Sequence, residues 1–518
     1  MPVRLQPNLE LAAEVVVVGS GVAGLWGSLA NTALSGGGFT GSGPDFSVAD
    51  HALLTRQLAQ GLAEDSLVEC LAAGGEREIQ RLSEIVGTRI VYVGGGRYEL
   101  RSTAEAVIPG KTLTGALCEK VRLSDVRVVE NATVLGLMVK DGQVGGLYGV
   151  LCDGDVFRVT SGAIVLATGG YAGCVGQSNN APRLTGDGHM LALNAGGSLR
   201  DLEYIQFHPL GIEEPHLPSY IVPYPFPRGT RLESADGRDL IASHFGPDAT
   251  LQEVCSAHRD ELSFLLLKEK MSSGSPILRL GAFSHGDEDL FCARLLNRYY
   301  PGEVPHTIRV GPVSHFTMGG VAVDRDLSVM PGLFAAGEIV GGLHGANRYS
   351  GNALTAGLVQ GRQACLNAAR YSKKEGNRRR LPLPDDPILR AAGKGDLCDL
   401  PGRSRLADLK RLARRLAWSG LGPIRSARTL ETALGAIRAL REEVVHAEVP
   451  KGADLALRHF ELLNMVLLTE LATRAAAMRR ESRGSHRRED FPQSDGAWQR
   501  SIFFRKGDQG SVVTVVGG

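Results

Sequence analysis

The spacing of apolar residues in the first third of the chain predicts strands that end in glycine turns. Residues 15–18 are four consecutive valines, and this short apolar run leads directly into Gly19. Residues 126–168 alternate between apolar and polar positions around turn signals at 141–142 and 153–154, so they predict a β-meander. We expect the meander to return to a buried strand at 163–167, which again ends in glycines.

Helical spacing of apolar residues dominates other parts of the chain. Residues 50–86 predict two or three helices with a break at Gly74 and Gly75, and residues 404–480 predict a three-helix bundle. Residues 333–369 repeat the order strand, glycine-rich loop and helix. The charged, proline-containing segment 371–387 is predicted to be a linker, and its Lys/Arg run is interpreted as a solvated tether rather than a nucleic-acid surface.

Composition restricts the class of protein. A chain of 518 residues with 43% hydrophobic and 22% charged residues is typical of a globular protein of two or three domains. Its net charge of +1 argues against nucleic-acid binding through broad electrostatic attraction. The eight cysteines contain no C-x-x-C pair, so we expect reduced thiols and neither a zinc nor an iron–sulfur site. No signal sequence or membrane span is expected, which predicts a cytoplasmic protein.

A glycine pattern follows the first strand. Gly19, Gly21 and Gly24 stand where a strand turns into a helix in dinucleotide-binding units, and the helix start binds diphosphate through backbone N–H groups. The alternative is an ordinary glycine-rich turn. Three further segments could approach a nucleotide with their backbone, although they lie far apart along the chain. They are a second glycine-rich loop, the turn at 168–170 and the segment 336–338. This spread suits a long cofactor such as FAD better than NAD alone.

Four segments then carry the signature of a known family. They are TGDGHMLALNAGGSLRDLEYIQFHP at 185–209, HFTMGG at 315–320, AAGEIVGGLHGANRYSGNAL at 335–354 and ESRGSHRREDFP at 481–492. They closely resemble the flavoprotein subunit of succinate dehydrogenase and fumarate reductase, a group that includes L-aspartate oxidase. The resemblance runs in order along nearly the whole chain.

The resemblance implies an α/β fold. A Rossmann-like FAD-binding domain would carry an inserted α+β capping domain and a C-terminal helical bundle. The implied boundaries are 1–209 and 321–385 for the two parts of the FAD-binding domain, 210–320 for the capping domain, and 386–518 for the C-terminal helical domain and tail.

The resemblance also implies the chemistry. The family moves a hydride between flavin N5 and a carbon of a four-carbon dicarboxylate. His208 and His315 would hold carboxylates, Arg348 would clamp one as a bidentate fork, and Arg259 would donate a proton. An arginine gives up its proton reluctantly, so Arg259 would act as a momentary relay that a neighbouring acid such as Asp260 re-protonates. Taken singly, each histidine or arginine is more often a core or salt-bridge residue. Four such residues in four family motifs, QFHP, HFTMGG, HGANR and AHRDEL at 257–262, favour the catalytic interpretation.

For the flavin, the resemblance implies a set of contacts and a mode of attachment. Membrane-bound relatives link FAD through a histidine in an S-H-T segment, and this chain has Ala30, Asn31 and Thr32 there, so FAD is expected to be held non-covalently. The implied cofactor residues are Gly19, Gly21 and Gly24 at the diphosphate, Ser35, Gly36 and Gly37 near the isoalloxazine ring, Thr168 and Gly169 at a backbone approach, Asp187 and Glu338 on polar groups of the cofactor, and Ser350, Asn352, Ala353 and Leu354 at the ring.

The chain departs from the family pattern after its first glycines. A dinucleotide unit continues with a helix and a second strand that ends in an acid for the ribose, and here roughly 20 to 25 residues are missing between Ala30 and Asn31. Either neighbouring segments fill the gap, or the chain is a deletion variant with weakened FAD binding.

A second departure lies before Arg228-Gly229. Relatives carry a Thr-Glu pair there, in which Thr binds a carboxylate and Glu relays the proton; this chain has Tyr224 and Pro225. Tyr224 retains a hydroxyl for substrate binding, whereas proline cannot relay a proton. Turnover would then depend on another acid, such as Asp260 or Glu261.

The sequence therefore predicts an FAD-dependent oxidoreductase that acts on a small dicarboxylate, with succinate/fumarate chemistry first. Oxidation of L-aspartate or another carboxylate is an alternative in the same class. A flavin-poor, inactive homologue that binds partners is an alternative from another class. A third interpretation keeps the enzyme as one component of a complex that passes electrons to an iron–sulfur protein, with the C-terminal helices as the docking surface.

Overall fold

The computed structural model describes residues 7–19, 30–87, 90–100, 107–283, 290–300, 302, 304–375, 380–393, 400–507 and 511–517. Gly21 and Gly24, two of the predicted diphosphate residues, lie outside this part of the chain.

The largest sheet joins the first strand to the predicted meander. Its strands are β1 (Leu9–Val18), β5 (Ala132–Lys140), β6 (Gln143–Leu151), β7 (Val156–Leu166), β14 (Ser328–Met330) and β15 (Leu333–Ala335). β1 and β15 run parallel to β7, while β5, β6 and β7 form the antiparallel meander. The meander turns where the sequence predicts, because Asp141 and Gly142 adopt φ angles of 52° and 73° between β5 and β6.

Among the described residues, β1 is an edge strand of this sheet. Its valines pair in register with β7, from Val15 beside Ala163 to Val18 beside Leu166. A second strand of a dinucleotide unit would lie along the other edge, and the described residues place no strand there. The side chain of Val17 is accordingly 39% exposed. This open edge agrees with the shortened sequence after Ala30.

The helices cover the sheets and build the C-terminal region. They are α1 (Val48–Ala59), α2 (Asp65–Val86), α3 (Pro109–Arg122), α4 (Asp187–Ala195), α5 (Leu240–Phe245), α6 (Leu251–Ala257), α7 (Arg259–Ser272), α8 (Phe291–Tyr299), α9 (Asn352–Lys374), α10 (Pro387–Ala391), α11 (Leu400–Leu421), α12 (Ala427–His446) and α13 (Ala453–Met478). Three long helices, α11 to α13, form the predicted bundle. No helix in the described ranges is long and apolar enough to cross a membrane.

Three smaller sheets contain the remaining strands. These are β2 (Gly38–Thr40), β3 (Ile90–Gly94), β4 (Arg97–Leu100), β8 (Leu199–Arg200), β9 (Ile205–Ile212), β10 (Arg231–Glu233), β11 (Ile277–Arg279), β12 (Thr307–Thr317), β13 (Gly320–Val321), β16 (Ile502–Lys506) and β17 (Val512–Val516). The capping region contains one sheet with the order β10-β11-β12-β9, in which β9 and β12 are antiparallel neighbours. A core of its own lies between this sheet and the helices α5 to α8 and includes Leu232, Leu262 and Ile308.

Two sequence-based boundaries are wrong. α2 continues through Gly74 and Gly75, because these glycines let it pack closely on α9: a Cβ at Gly74 would lie 3.0 Å from a Val359 methyl. The observed break is at Gln60 and Gly61, whose φ angles are 51° and 81°. In addition, α9 extends to Lys374, so the first residues of the predicted linker are helical.

Candidate active site

One open cavity of about 2190 Å³ lies at the carboxyl ends of β1, β7 and β15 and continues along the open edge of β1. Its volume exceeds the roughly 300–1,000 Å³ of a typical ligand pocket. All predicted site residues within the described ranges line it except Asn352. They are Gly19, Ser35, Gly36, Gly37, Thr168, Gly169, Asp187, His208, Tyr224, Arg259, His315, Glu338, Arg348, Ser350, Ala353 and Leu354.

The strand ends present backbone and one free hydroxyl to the cavity. Gly19 has a φ of 122°, and a Cβ there would collide with the backbone carbonyl of Ala167, so only glycine fits this crossing. Gly169 also adopts a left-handed φ, of 75°. Thr168 Oγ1 is buried and has no hydrogen-bond partner in the protein. A buried hydroxyl of this kind is ready to bind a polar ligand group.

The loop at 35–37 forms another wall of the cavity. Ser35 Oγ donates to the Thr32 carbonyl at 2.7 Å, which turns the chain back after a short 3₁₀ helix, Asn31–Leu34. Gly37 has a φ of 72°, and a Cβ there would meet the side chains of Pro109 and Leu100 at 2.8 and 2.9 Å. The glycine therefore allows the loop to lie directly against α3 and β4.

Asn31 is the residue that the sequence resemblance sets against the flavin-linking histidine of membrane-bound relatives. Its side chain bonds the side chain of Asn180 and accepts from the Ala181 N–H at 2.9 Å. It also hydrogen-bonds Glu338, which in turn accepts from the Thr317 N–H at 3.1 Å. Burial raises the pKa of Glu338 to about 7, although these hydrogen bonds act in the opposite direction.

Asp187 begins α4 and is tied to the C-terminal bundle. Its two oxygens accept from Asn464 Nδ2 at 2.8 Å and from Thr185 Oγ1 at 2.7 Å. Burial raises the pKa of Asp187 to about 6. One carboxyl group thus connects the cavity wall to α13.

Two histidines face each other across the neighbouring strands β9 and β12. The ring centroids of His208 and His315 are 5.6 Å apart. Burial and the nearby guanidinium groups of Arg259 and Arg348 hold the pKa of both imidazoles well below the ordinary value, so both are neutral. His315 Nδ1 lies 3.1 Å from the amide nitrogen of Asn179, which fixes the orientation of its ring.

The two arginines converge on one glutamine. Gln206 Oε1 accepts from Arg348 Nη2 at 2.8 Å and from Arg259 Nη1 at 3.4 Å. Arg348 also lies over the Phe316 ring at 4.6 Å, and its Nε has no partner. Burial and the adjacent Arg259 lower the pKa of Arg348 to about 9. A pair of buried cations with a free N–H lines the cavity, and this arrangement favours an anionic ligand.

Tyr224 stands beside the arginine pair. Its hydroxyl oxygen lies 3.3 Å from Arg259 Nη2. Burial would raise the pKa of this phenol, but Arg259 and hydrogen bonds with Ser350 and Ser256 leave it below the ordinary value. Pro225 follows in the cavity wall and has no acid to offer.

The two acids that the sequence suggests as alternative relays differ in position. Asp260 is packed behind the arginines, with Oδ1 unpartnered, and burial raises its pKa to about 6. The Glu261 side chain is 40% exposed and faces His244 and His258 at 3.7 and 3.6 Å. Neither acid is among the described residues that line the cavity.

Among the predicted site residues that the structure describes, Asn352 is the one that does not line the cavity. His51 Nε2 donates to its Oδ1 at 2.8 Å, and its Nδ2 donates to Thr55 Oγ1 at 3.0 Å. Its side chain therefore fastens the start of α9 to α1. The neighbouring Ser350, Ala353 and Leu354 remain on the cavity side.

Sequence reasoning missed several residues of this site. Gln206 lies within the QFHP segment but drew no attention, since an isolated glutamine has no chemical signature. Asn179 and Gln360 belong to no motif, yet Gln360 accepts from the Gly337 N–H at 2.9 Å and holds the strand end in place. Only their hydrogen-bond partners identify these amides as site residues.

The described residues fit FAD along most of its length. Glycine strand ends, the unpartnered Thr168 hydroxyl and the 35–37 loop suit a diphosphate and a flavin ring, and Glu338 and Asp187 add polar contacts. The described part of the chain has no second strand beside β1 to end in the usual ribose carboxylate.

Comparisons with known proteins show the family of this chain. The FAD binding domain family matches residues 14–354, and the fumarate reductase flavoprotein C-terminal family matches residues 410–515. One subunit of the fumarate reductase (CoM/CoB) from Methanothermobacter marburgensis is 31% identical and aligns with 80% of this chain and 76% of its own length. L-aspartate oxidase of Streptomyces coelicolor is 30% identical, with 96% and 92% aligned. That alignment spans 549 positions, more than the 518 residues here, so the relative carries residues without a counterpart.

Solved structures show the same fold. Mycobacterium smegmatis Sdh1 has a TM-score of 0.79 with 26% identity, covering 98% of this chain and 94% of its own. A mutated E. coli quinol fumarate reductase (FrdA) has a TM-score of 0.83 with 22% identity, covering 98% and 97%. The predicted Rossmann-like α/β fold with capping and C-terminal helical regions is confirmed. The protein belongs to the FAD-dependent oxidoreductase family of succinate dehydrogenase and fumarate reductase flavoprotein subunits and L-aspartate oxidases.

Proposed function

We propose that this chain moves a hydride between FAD and a small dicarboxylate of the succinate/fumarate type. The observation that carries the proposal is the buried pair Arg348 and Arg259, which Gln206 holds together beside two neutral histidines in one cavity. Two fixed cations match the two carboxylates of the substrate, and the burial of both side chains strengthens their attraction for it.

Each side chain has a proposed role. FAD, when bound, accepts or supplies the hydride. Arg348 grips one carboxylate as a fork with its Nε–H, which is unpartnered in the protein. His208 and His315 donate hydrogen bonds to carboxylate oxygens without adding charge, because burial and the arginines keep them neutral. Arg259 and Tyr224 face the reacting carbons at the other end of the arginine pair.

The test begins with the visible absorption of the purified protein before and after acid precipitation. Flavin bands that follow the supernatant are expected, since the chain lacks the linking histidine. Under anaerobic conditions, succinate should bleach these bands, and fumarate should restore them after chemical reduction. A protein that stays colourless with added FAD contradicts the proposal.

A matched pair of variants tests the substrate clamp. Arg348→Lys keeps the charge but loses the fork, so KM for fumarate should rise on the order of 10-fold to 100-fold. Arg505→Lys changes an exposed arginine and should leave KM unchanged. Equal KM values for the two variants would show that Arg348 does not hold the substrate.

Oxidation of L-aspartate is a second candidate. The alignment with an L-aspartate oxidase supports it, because that alignment covers more of both chains than the alignment with the fumarate reductase of Methanothermobacter marburgensis. The same anaerobic assay separates the two: bleaching by L-aspartate but not by succinate would favour the second candidate.

We also propose that the electrons leave through an iron–sulfur partner. The name of one relative supports this, since the Methanothermobacter marburgensis protein is described as a subunit of a fumarate reductase. Within the described residues, no group of histidines, cysteines or acids is arranged to hold a metal ion. Co-purification of an iron–sulfur protein would support the partner, whereas rapid reoxidation of the flavin by oxygen in the isolated chain would contradict it.

A further inference from the structure

A break in the regular pairing of β9 with β12 brings two neighbouring side chains to the same cavity. Ser314 pairs with Phe207 and Phe316 pairs with Gln206, so His315 is the extra residue of a β-bulge. In a regular strand, His315 and Phe316 would point to opposite faces of the sheet. At this bulge both residues line the cavity.

Phe316 lies against the face of the Arg348 guanidinium group. The centroid of its ring is 4.6 Å from Arg348 Cζ, within the roughly 6 Å at which a ring face attracts a cation. The His344 ring packs on Phe316 at 5.4 Å with an interplanar angle of 74°, and Phe316 is only 5% exposed. The phenyl ring is therefore itself held in place by its packing.

Two hydrogen bonds hold the edge of the same guanidinium group. Arg348 Nη2 donates to Gln206 Oε1 at 2.8 Å, and Nη1 donates to the Tyr349 carbonyl at 3.2 Å. Gln206 is also the cross-strand partner of Phe316, so one residue pair of the sheet supplies both the ring and an acceptor. The Nε–H has no partner in the protein and remains for a ligand.

A phenyl ring suits a cation that must also bind an anion. Burial and the neighbouring Arg259 disfavour the charge on Arg348 and lower its pKa to about 9. An acidic partner would stabilise this charge, but it would also repel a carboxylate ligand. The electron-rich face of Phe316 favours the cation without adding a negative charge that competes with the ligand.

We propose that Phe316 is a positioning residue for the substrate clamp, and that its ring face holds the Arg348 guanidinium in the orientation that receives a carboxylate. This inference rests on the proposed dicarboxylate reaction. Phe316 has no polar group to take part in the chemistry, so it acts through Arg348. Without the ring face the guanidinium samples other orientations, and the apparent affinity falls with the fraction of molecules in the binding orientation.

The test weakens the ring face while the shape of the side chain is kept. Phe316 is replaced by phenylalanine analogues with one, two and three ring fluorines, because fluorine draws electron density from the face that attracts the cation. Calorimetry of the flavin-loaded protein measures the Kd for malonate, a dicarboxylate with no carbon pair to desaturate between its carboxylates. The Kd should rise with each fluorine, by about 3-fold to 30-fold for the last analogue, while Tm stays unchanged.

The control places the same analogues at Phe207 in β9. This residue is 2% exposed, and its ring packs edge-on against Trp418 at 5.6 Å rather than against an arginine. The Kd for malonate should keep its wild-type value throughout this second series. A flat series at Phe316, or an equal rise at Phe207, would overturn the assignment.

Phe316→Leu adds a kinetic readout. Leucine is apolar but has no ring face, so KM for fumarate should rise by about 3-fold to 30-fold while kcat changes by less than about threefold. A fall in kcat with KM unchanged would contradict a positioning role. If wild type binds malonate but turns over neither fumarate nor succinate, the proposed function fails, and the malonate series still decides the role of Phe316. If wild type binds no malonate, both the proposed function and this role are overturned.

Discussion

At the scale of single residues, burial controls the acids around the cavity. Glu338, Asp187 and Asp260 have pKa values raised to about 7, 6 and 6, in each case chiefly because burial disfavours the charged carboxylate. A carboxyl group whose pKa is higher in the folded state than in the unfolded state binds extra protons when the chain folds. Its contribution to stability is therefore lost as pH rises from the unfolded pKa toward the folded one.

This loss of stability with rising pH gives a prediction for Glu338. In flavin-free protein, wild type should lose stability from this group as pH rises from about 4.5 to about 7. Glu338→Gln keeps an acceptor for the Thr317 N–H but cannot ionise, so it should lose less stability over this range. Thermal unfolding at about pH 5 and pH 8 should show a Tm drop that is smaller by a few degrees in the variant.

The control is Glu489→Gln, because the Glu489 side chain is 49% exposed. It should show the same Tm drop as wild type. If Glu338→Gln showed the same Tm drop as wild type, burial would not perturb the pKa of this carboxyl group.

The site residues that the sequence predicted are those with strong chemical signatures. His208, His315 and Arg348 are identifiable because each lies in a family segment, and Arg259 because it lies in the motif AHRDEL at 257–262; the structure brings all four to one cavity. Gln206 was not identified because its function comes from accepting two arginine bonds, which no sequence pattern encodes. Whether these residues perform the proposed roles remains a prediction.

At the scale of helices and strands, the periodicity of apolar residues predicted the elements well. Glycines were a poorer guide to where a helix breaks. The valine strand, the meander and the three C-terminal helices lie where apolar spacing placed them. Gly74 and Gly75 misled the helix prediction, because a glycine pair inside a helix has the same composition as a turn. The difference depends on α9, which is far away in sequence and packs against these glycines.

This packing gives a prediction for α2. Gly74→Leu would drive a side chain into Val359, whose methyl lies 3.0 Å from a Cβ at this position, and should destabilise the protein by about 1–3 kcal/mol. Gly435→Leu makes the same change at an exposed position of α12 where a Cβ meets nothing within 4 Å. It should be neutral or stabilise by about 1 kcal/mol through helix propensity.

The measurement is the urea midpoint of both variants. Equal midpoints for Gly74→Leu and Gly435→Leu would mean that α2 and α9 can move apart without a loss of stability. The close approach at Gly74 would then not be needed.

At the scale of the whole molecule, a buried ion network joins the C-terminal segment to the FAD-binding region. Arg479 follows α13 and is fully buried; its Nε lies 2.6 Å from Glu203 and its Nη1 lies 3.1 Å from Glu481. Arg425 and His486 share a 2.6 Å contact in the same network. These charges hold together segments that are far apart in the sequence.

Removal of one charged side chain from this buried network should destabilise the protein. Arg479→Met leaves Glu203 and Glu481 buried without their cation, and the free energy of unfolding should fall by about 3–5 kcal/mol. Arg411→Met breaks an exposed pair with Asp408 and should change stability by less than about 1 kcal/mol. Denaturant unfolding measures both, and a near-wild-type midpoint for Arg479→Met would show that the network adds nothing to stability.

The open edge of β1 has a consequence for how this family varies in length. Since the described residues place no strand along that edge, we expect extra chain inserted between Ala30 and Asn31 to pair with β1 there. The sheet then gains a strand at its border, while the pairing of β1 with β7 and the cavity-lining histidines and arginines stays as it is. The strand that relatives carry would in this sense be an addition at the edge of the sheet, and we expect proteins with and without it to keep the same pairing of β1 with β7.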